Sequence, residues 1–342
     1  MRALGKQQLQ LTALLLVLWL GSVYGASGLQ ARILGTQLHG ITYYSLRDVT
    51  GRLGMQYAPS LKKRKVQLKS QWSDLEFKAD CKHFSLNDLK LFLGNPIALH
   101  RGTFYISQRD YEKTLSPILT PQVFPNPPRL HRIVIDPGHG GKDPGAQNIE
   151  LRLHEKNLAL DVAQSLRQKL RGYGYDVYLT RDKDVFIGLK ERAQFTNRLK
   201  ADLFISIHFN AIASGNVQGM ECYTFTPPYQ PSSHRDKLHA KDKKFYPANR
   251  NDPWNQLVGY AIQRTLIKDI GGVDRGLKRA RWTVLGGLQC PGVLVELGFL
   301  THKDEAKLIR QAGYREKLVV SLARGIQVYK NTLHRINARQ QG

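Results

Sequence analysis

His139, Glu155, His208 and Glu296 are the residues of this chain whose types and surroundings suit chemistry. They stand in Ile133-Val-Ile-Asp-Pro-Gly-His-Gly-Gly141, Leu153-His-Glu-Lys-Asn-Leu158, Ile205-Ser-Ile-His-Phe-Asn-Ala211 and Val293-Leu-Val-Glu-Leu-Gly-Phe-Leu300. Each lies where a predicted strand or helix meets a turn. Two imidazoles and one carboxylate are the ligand set of an open catalytic zinc site. A further carboxylate beside such a site can take a proton from water. Singly, each residue has an ordinary reading. His139 can be a turn residue, Glu155 can complement a helix dipole, and His208 can be a hydrogen-bonded core histidine. Glu296 is harder to dismiss, because an unpaired carboxylate ending an apolar strand is costly unless a cation is near. Together, the four imply a metal-dependent hydrolase.

The elements that must position them follow from periodicity. From about residue 129 onward, strand and helix patterns alternate, which predicts an α/β fold with a mostly parallel or mixed sheet and helices on both faces. Strands are predicted at 132–136, 176–181, 202–208, 217–225 and 292–296, and helices at 153–171, 189–200, 254–270, 303–311 and 314–335. The 202–208 strand is nearly all apolar and is expected in the sheet centre. A strand ending in Pro137-Gly-His-Gly-Gly141 places His139 at the carboxyl edge of the sheet, where open α/β folds bind ligands. That turn lacks the Gly-Lys-Ser/Thr ending of a phosphate cradle. Asp136 is a candidate to accept a hydrogen bond from a liganding imidazole, or equally to cap the glycine-rich turn. Asn210 is a candidate to hold a loop or a substrate amide. Arg181 and Arg192 are expected to brace strand and helix ends.

Arg2 and Lys6, the apolar stretch Leu11–Leu20 and the small residues through Gly25-Ala26-Ser27-Gly28 have the three-part layout of a secretory signal peptide, assigned to 1–26. The stretch is shorter than a membrane span of ~20 residues, so the mature chain is expected to be exported, to the periplasm, cell wall or medium, without an integral membrane segment. Roughly 315 residues then remain, a soft prior for two domains. The proline-rich Pro121-Gln-Val-Phe-Pro-Asn-Pro-Pro128 can continue neither helix nor central strand. It predicts a linker at 119–130 between a small α+β domain (30–118) and a catalytic domain (131–336). In the first domain, Ser45–Gly54 reads as a capped helix and 66–68, 75–79, 95–99 and 102–107 as strands; His83 and His100 read as surface residues. Three cysteines, Cys81, Cys222 and Cys290, are too few for a disulfide framework. They read as buried small hydrophobes, with a 222–290 bridge as the alternative. A formal charge of +24 implies an acidic partner. Export and the lack of a recognition helix argue against nucleic acid, and an anionic cell-wall polymer fits.

The motifs of the second domain resemble the zinc-dependent N-acetylmuramoyl-L-alanine amidases of bacterial cell-wall remodelling. The likeness runs from about 132 to 330. It rests on Ile135-Asp-Pro-Gly-His-Gly-Gly141, Asp143-Pro-Gly-Ala146, Glu155-Lys, Leu179-Thr-Arg181, Leu189 to Arg192, Ser206-Ile-His-Phe-Asn-Ala211 and Pro291-Gly-Val-Leu-Val-Glu-Leu-Gly-Phe-Leu300. It implies Zn2+ bound by His139, Glu155 and His208, Glu296 as the catalytic carboxylate, and peptidoglycan as substrate. Two alternatives remain at this stage: a zinc peptidase acting on the stem peptide, and a non-catalytic peptidoglycan-binding protein. Some members of that family carry a helix over the zinc that a partner protein must displace. The corresponding segment here, Pro227–Pro247, is basic and broken by prolines, and reads as a mobile rim or a solvated loop. A regulatory partner is not specified by the sequence. The order of elements in residues 30–118 resembles the small stalk-like domain found at the N-terminus of copper amine oxidases, which implies a spacer or targeting module and no copper.

Overall fold

The computed structural model describes residues 33–341; the expected signal peptide at 1–26 lies outside the described residues. Within the described residues no helix is long and apolar enough to cross a membrane. The described residues divide into two compact units, 33–88 with 96–108, and 89–95 with 109–341.

In the first unit, β1 (Gly35–Leu38), β2 (Ile41–Ser45), β8 (Ala98–His100) and β9 (Thr103–Ser107) form an antiparallel sheet in the order β1-β2-β9-β8. Helix α1 (Leu46–Leu53) begins where Ser45 Oγ accepts from the Arg47 and Asp48 amides and ends at Gly54, whose φ is 62°. Strands β3 (Gln56–Ser60), β4 (Lys65–Lys69), β5 (Asp74–Lys78) and β6 (His83–Leu86) follow as an antiparallel meander. Val66, Leu68, Leu75 and Phe77 alternate inward from β4 and β5. This unit is α+β, as expected, and His83 and His100 are exposed.

The second unit holds β7 (Leu89–Phe92), β10 (Arg132–Pro137), β13 (Asp176–Leu179), β14 (Leu203–Asn210), β15 (Met220–Phe225), β16 (Asp274–Ala280) and β17 (Gly292–Phe299), in the order β13-β10-β14-β17-β15-β16-β7. A small hairpin, β11 (Gln147–Asn148) and β12 (Leu153–His154), stands apart. β13, β10, β14 and β17 are mutually parallel, β15 runs antiparallel to β17, and β16 and β7 are parallel to β15. The sheet is mixed, with the apolar β14 inside it.

Helices α2 (Glu155–Gly172), α4 (Asp252–Ile270) and α6 (Ala312–Gln341) cover one face, and α3 (Leu189–Arg198) lies on the other; α5 (Lys303–Arg310) precedes α6. Gly325 of α6 lets the two longest helices approach: a Cβ there would lie 3.0 Å from the Ile262 Cα. On the α3 face, Val134, Phe204 and Leu294 pack with Ala193, Val284 and Leu285. The two-residue period of a strand puts Asp136, Ser206, His208 and Glu296 on that same face, further toward the carboxyl edge.

The boundary between the units differs from the expected linker. Residues 109–119 are helical and pack on α4 rather than completing the first domain. Pro121 is buried, Phe124 meets Trp254 edge-on at 6.4 Å, and Gln340 Nε2 donates to the Gln122 and Phe124 carbonyls. Prolines stopped regular structure here without freeing the chain, because the apolar side chains around them found a surface.

Candidate metal centre

Strand β10 stops at Pro137, and the turn after it carries His139 in the left-handed region at φ 60°. Four guanidinium contacts hold the turn. Arg181 donates to the Pro137 and Gly138 carbonyls, and Arg192 to those of Pro137 and His139. Both arginines thus brace backbone, as expected. Glu155 opens α2 and reaches the sheet edge. Its Oε2 accepts from the Ala146 amide at 2.7 Å and its Oε1 from the Phe209 amide at 3.0 Å.

The same Oε1 lies 3.0 Å from His139 Nε2 and 2.9 Å from His208 Nδ1. The ligand atoms of His139, Glu155 and His208 lie within 4.8 Å of one another. This closeness needs glycines: a Cβ on Gly138 would stand 2.3 Å from the His208 ring, and one on Gly145 (φ 65°) would stand 2.5 Å from Glu155 Oε2. Burial opposes charge on Glu155, but the two imidazoles outweigh it and hold its pKa down to about 2. Burial also works against charge on His139, yet Glu155 and Asp143 together raise its pKa.

Glu296 pairs with His208 across the parallel β14–β17 register, and a bulge between His208 and Asn210 follows. Its Oε2 is buried without a hydrogen-bond partner among the described residues. Burial, then the nearby charges of Glu155 and Glu221, push its pKa well up against the pull of Lys278. Two imidazoles and a carboxylate with facing donor atoms, beside an unpartnered buried carboxyl oxygen, fit a divalent zinc-like cation.

Asp136 takes neither expected role. It is buried and accepts from Thr180 Oγ1 (2.6 Å), Arg192 Nη1 (2.7 Å) and Ser206 Oγ (2.7 Å), so it is an anchor for Arg192 rather than a partner of an imidazole. The imidazole partner is Asp143, whose Oδ2 lies 2.8 Å from His139 Nδ1 and leaves Nε2 facing Glu155. A carboxylate four residues past a candidate ligand, in a turn, was the signal for it. Asn210 Nδ2 donates to Glu221 Oε1 at 3.0 Å. Glu221, buried in the apolar strand β15, also went unread, although it carries the same signature that singled out Glu296.

Cys222 and Cys290 are buried free thiols, whereas Cys81 is only half-buried. The Pro227–Pro247 segment is pinned rather than free. Gln230, Ser232 and Asp242 are buried, and Asp242 pairs with Arg235 (3.0 Å) and Arg281 (2.9 Å).

The N-acetylmuramoyl-L-alanine amidase family matches residues 133–328, more than half of the chain, and the chain belongs to that family. It is 34% identical over 204 residues to N-acetylmuramoyl-L-alanine amidase LytC of Bacillus subtilis (strain 168), covering 60% of this chain and 36% of that protein. With N-acetylmuramoyl-L-alanine amidase AmiC of Neisseria meningitidis serogroup B it shares 30% identity over 220 residues, covering 58% of this chain and 53% of the other. The chain therefore spans about a third of the first relative and about half of the second. The crystal structure of N-acetylmuramoyl-L-alanine amidase from Clostridium difficile 630 aligns with a TM-score of 0.50 at 30% identity, over 59% of this chain and 98% of that one. All of these likenesses fall short of the full chain.

Proposed function

We propose that the second unit hydrolyses the amide between N-acetylmuramic acid and L-alanine in peptidoglycan, with Zn2+ held by His139, Glu155 and His208. The observation that carries this reading is the buried Oε2 of Glu296, without a hydrogen-bond partner among the described residues and in register with His208 at the edge of the three-ligand cluster. Family membership supports the choice of bond. Zinc, when bound there, supplies a Lewis acid that acidifies water and polarises a carbonyl.

The chain's own residues do the rest. Glu296 takes a proton from the attacking water and returns it to the departing alanine nitrogen. Asp143 fixes which His139 nitrogen faces the cluster. Asn210, engaged with Glu221, positions the loop after β14 rather than touching substrate. The protein acts outside the cytoplasm, with residues 1–26 as its export signal.

Mass spectrometry of muropeptides after digestion of purified sacculi tests this reading. It predicts intact glycan and stem peptides with a new L-alanine amine, abolished by chelator and restored by zinc. New amines on other stem residues would make the protein a peptidase, and sacculus binding without release would make it a wall-binding protein.

A further inference from the structure

Glu221 stands opposite Glu296 in the antiparallel β15–β17 pair and is 2% exposed. Two buried carboxyls side by side are costly unless one is neutralised. Glu221 is saturated instead. Its Oε1 accepts from Asn210 Nδ2 at 3.0 Å and Tyr223 OH at 2.8 Å, and its Oε2 accepts from Arg275 Nε at 2.8 Å and from Lys278 Nζ. Four donors leave it no role in proton transfer. What it does is hold two cations, Arg275 and Lys278, on the strand partner of the proposed acid–base carboxylate.

Arg275 is the more informative of the two. Its Nε edge is tied to Glu221, and its guanidinium lies over the Phe299 ring, 5.0 Å from the centroid. The side chain is 29% exposed, and Nη1 and Nη2 have no hydrogen-bond partner among the described residues. Glu305, the other acid whose charge couples to Arg275, has its two oxygens engaged by the Gly219 and Phe299 amides at 2.8 Å each. Lys278 sits alongside, 14% exposed, with its ammonium 5.7 Å from the Tyr223 ring centroid. A guanidinium already locked on one edge and stacked on a ring loses little freedom when its outer edge takes a ligand. The geometry of that edge matches a carboxylate through two parallel N–H bonds.

We propose that Arg275, with Lys278 beside it, is a carboxylate-binding subsite for the stem peptide that distinguishes a free acid from a carboxamide on the residue following L-alanine. The proposal rests on the amidase reading for its substrate. Arg275 acts by binding, not by proton transfer.

The test compares two muramoyl peptides that differ only in carboxylate or carboxamide at that residue, cleaved by wild type, Arg275→Ala and Arg275→Lys. Wild type is expected to favour the acid. Arg275→Ala should lose roughly 10- to 100-fold in kcat/KM on the acid, through KM, and little on the amide, with zinc content unchanged. Arg275→Lys should recover only part of the preference. Equal losses on both substrates, or no loss on the acid, would overturn the subsite. Titration of the free acid-form stem peptide separates the two claims. If wild type cleaves neither substrate yet binds this peptide in an Arg275-dependent way, the amidase reading fails and the subsite stands. Cleavage of both substrates at equal kcat/KM, with no dependence on Arg275, removes the subsite and leaves the amidase.

Discussion

Glu296 and Asp143 carry different parts of the proposed site, and their variants should separate accordingly. Glu296 contacts none of the three ligand residues through a hydrogen bond, so Glu296→Ala should keep its zinc and lose at least ~100-fold in turnover, the usual share of a general acid–base. Steady-state rates beside metal analysis check this; near-wild-type turnover would remove Glu296 from the chemistry. Asp143 reaches the far nitrogen of His139 through Oδ2 and accepts from the Gly145 amide through Oδ1, touching neither Glu155 nor His208 by a hydrogen bond. Asp143→Ala should weaken zinc binding by roughly 10- to 100-fold, read by competition with a chromophoric chelator, and activity should return at high zinc. His208 and Glu296 stood out in the sequence because each interrupts an apolar strand, whereas His139, in a turn, and Glu155, at a helix start, drew notice only in combination with them. Asp143 was missed because an aspartate in a turn is ordinary. Asp136 was misassigned because its burial depends on Arg192, fifty-six residues away.

At the scale of elements, the site depends on how closely the β10 turn approaches β14. A Cβ at Gly138 would stand 2.3 Å from a rigid imidazole carbon, so Gly138→Ala should displace His208. We expect a stability loss of about 1–3 kcal/mol from overpacking together with reduced zinc content, measured by thermal melting and metal analysis; retained zinc at wild-type stability would show that the turn has slack. The strongly patterned elements were legible: β14, β17, α2, α4 and α6 lie where apolar periodicity placed them, and Ser45 and Gly54 bound α1. Strand β16, Asp-Arg-Gly-Leu-Lys-Arg-Ala, was not. Its alternation is masked by Arg279, whose side chain is buried with Nη2 donating to the Lys113 carbonyl. The segment after β15 was misjudged for a related reason, since prolines and lysines hide the buried Gln230, Ser232 and Asp242 that fasten it.

Across the whole molecule, folding and the site are coupled through charge. In the metal-free chain two carboxyls pull in opposite senses. Glu155 has a folded pKa of about 2 against an ordinary 4.5, so its contribution is present above pH ~4.5 and is lost as pH falls toward 2. Glu296 is raised above its ordinary 4.5, so its contribution is complete below that value and is lost as pH rises through its folded pKa. Glu296→Gln should therefore raise the Tm of the chelator-treated protein near pH 7, with the gain fading toward about pH 4. An unchanged Tm near pH 7 would mean that Glu296 is better solvated than its position indicates. The +24 charge suits an anionic polymer as partner, but it is spread along the chain and locates no binding surface. Everything in the functional account requires one cation shared by three side chains from three separate elements. Anomalous diffraction at the zinc edge from zinc-loaded crystals measures that directly. One strong peak is expected within bonding distance of His139, Glu155 and His208, with Glu296 facing it and no metal ligated by Asp136. A zinc peak bound elsewhere, or none among these three residues, would contradict it.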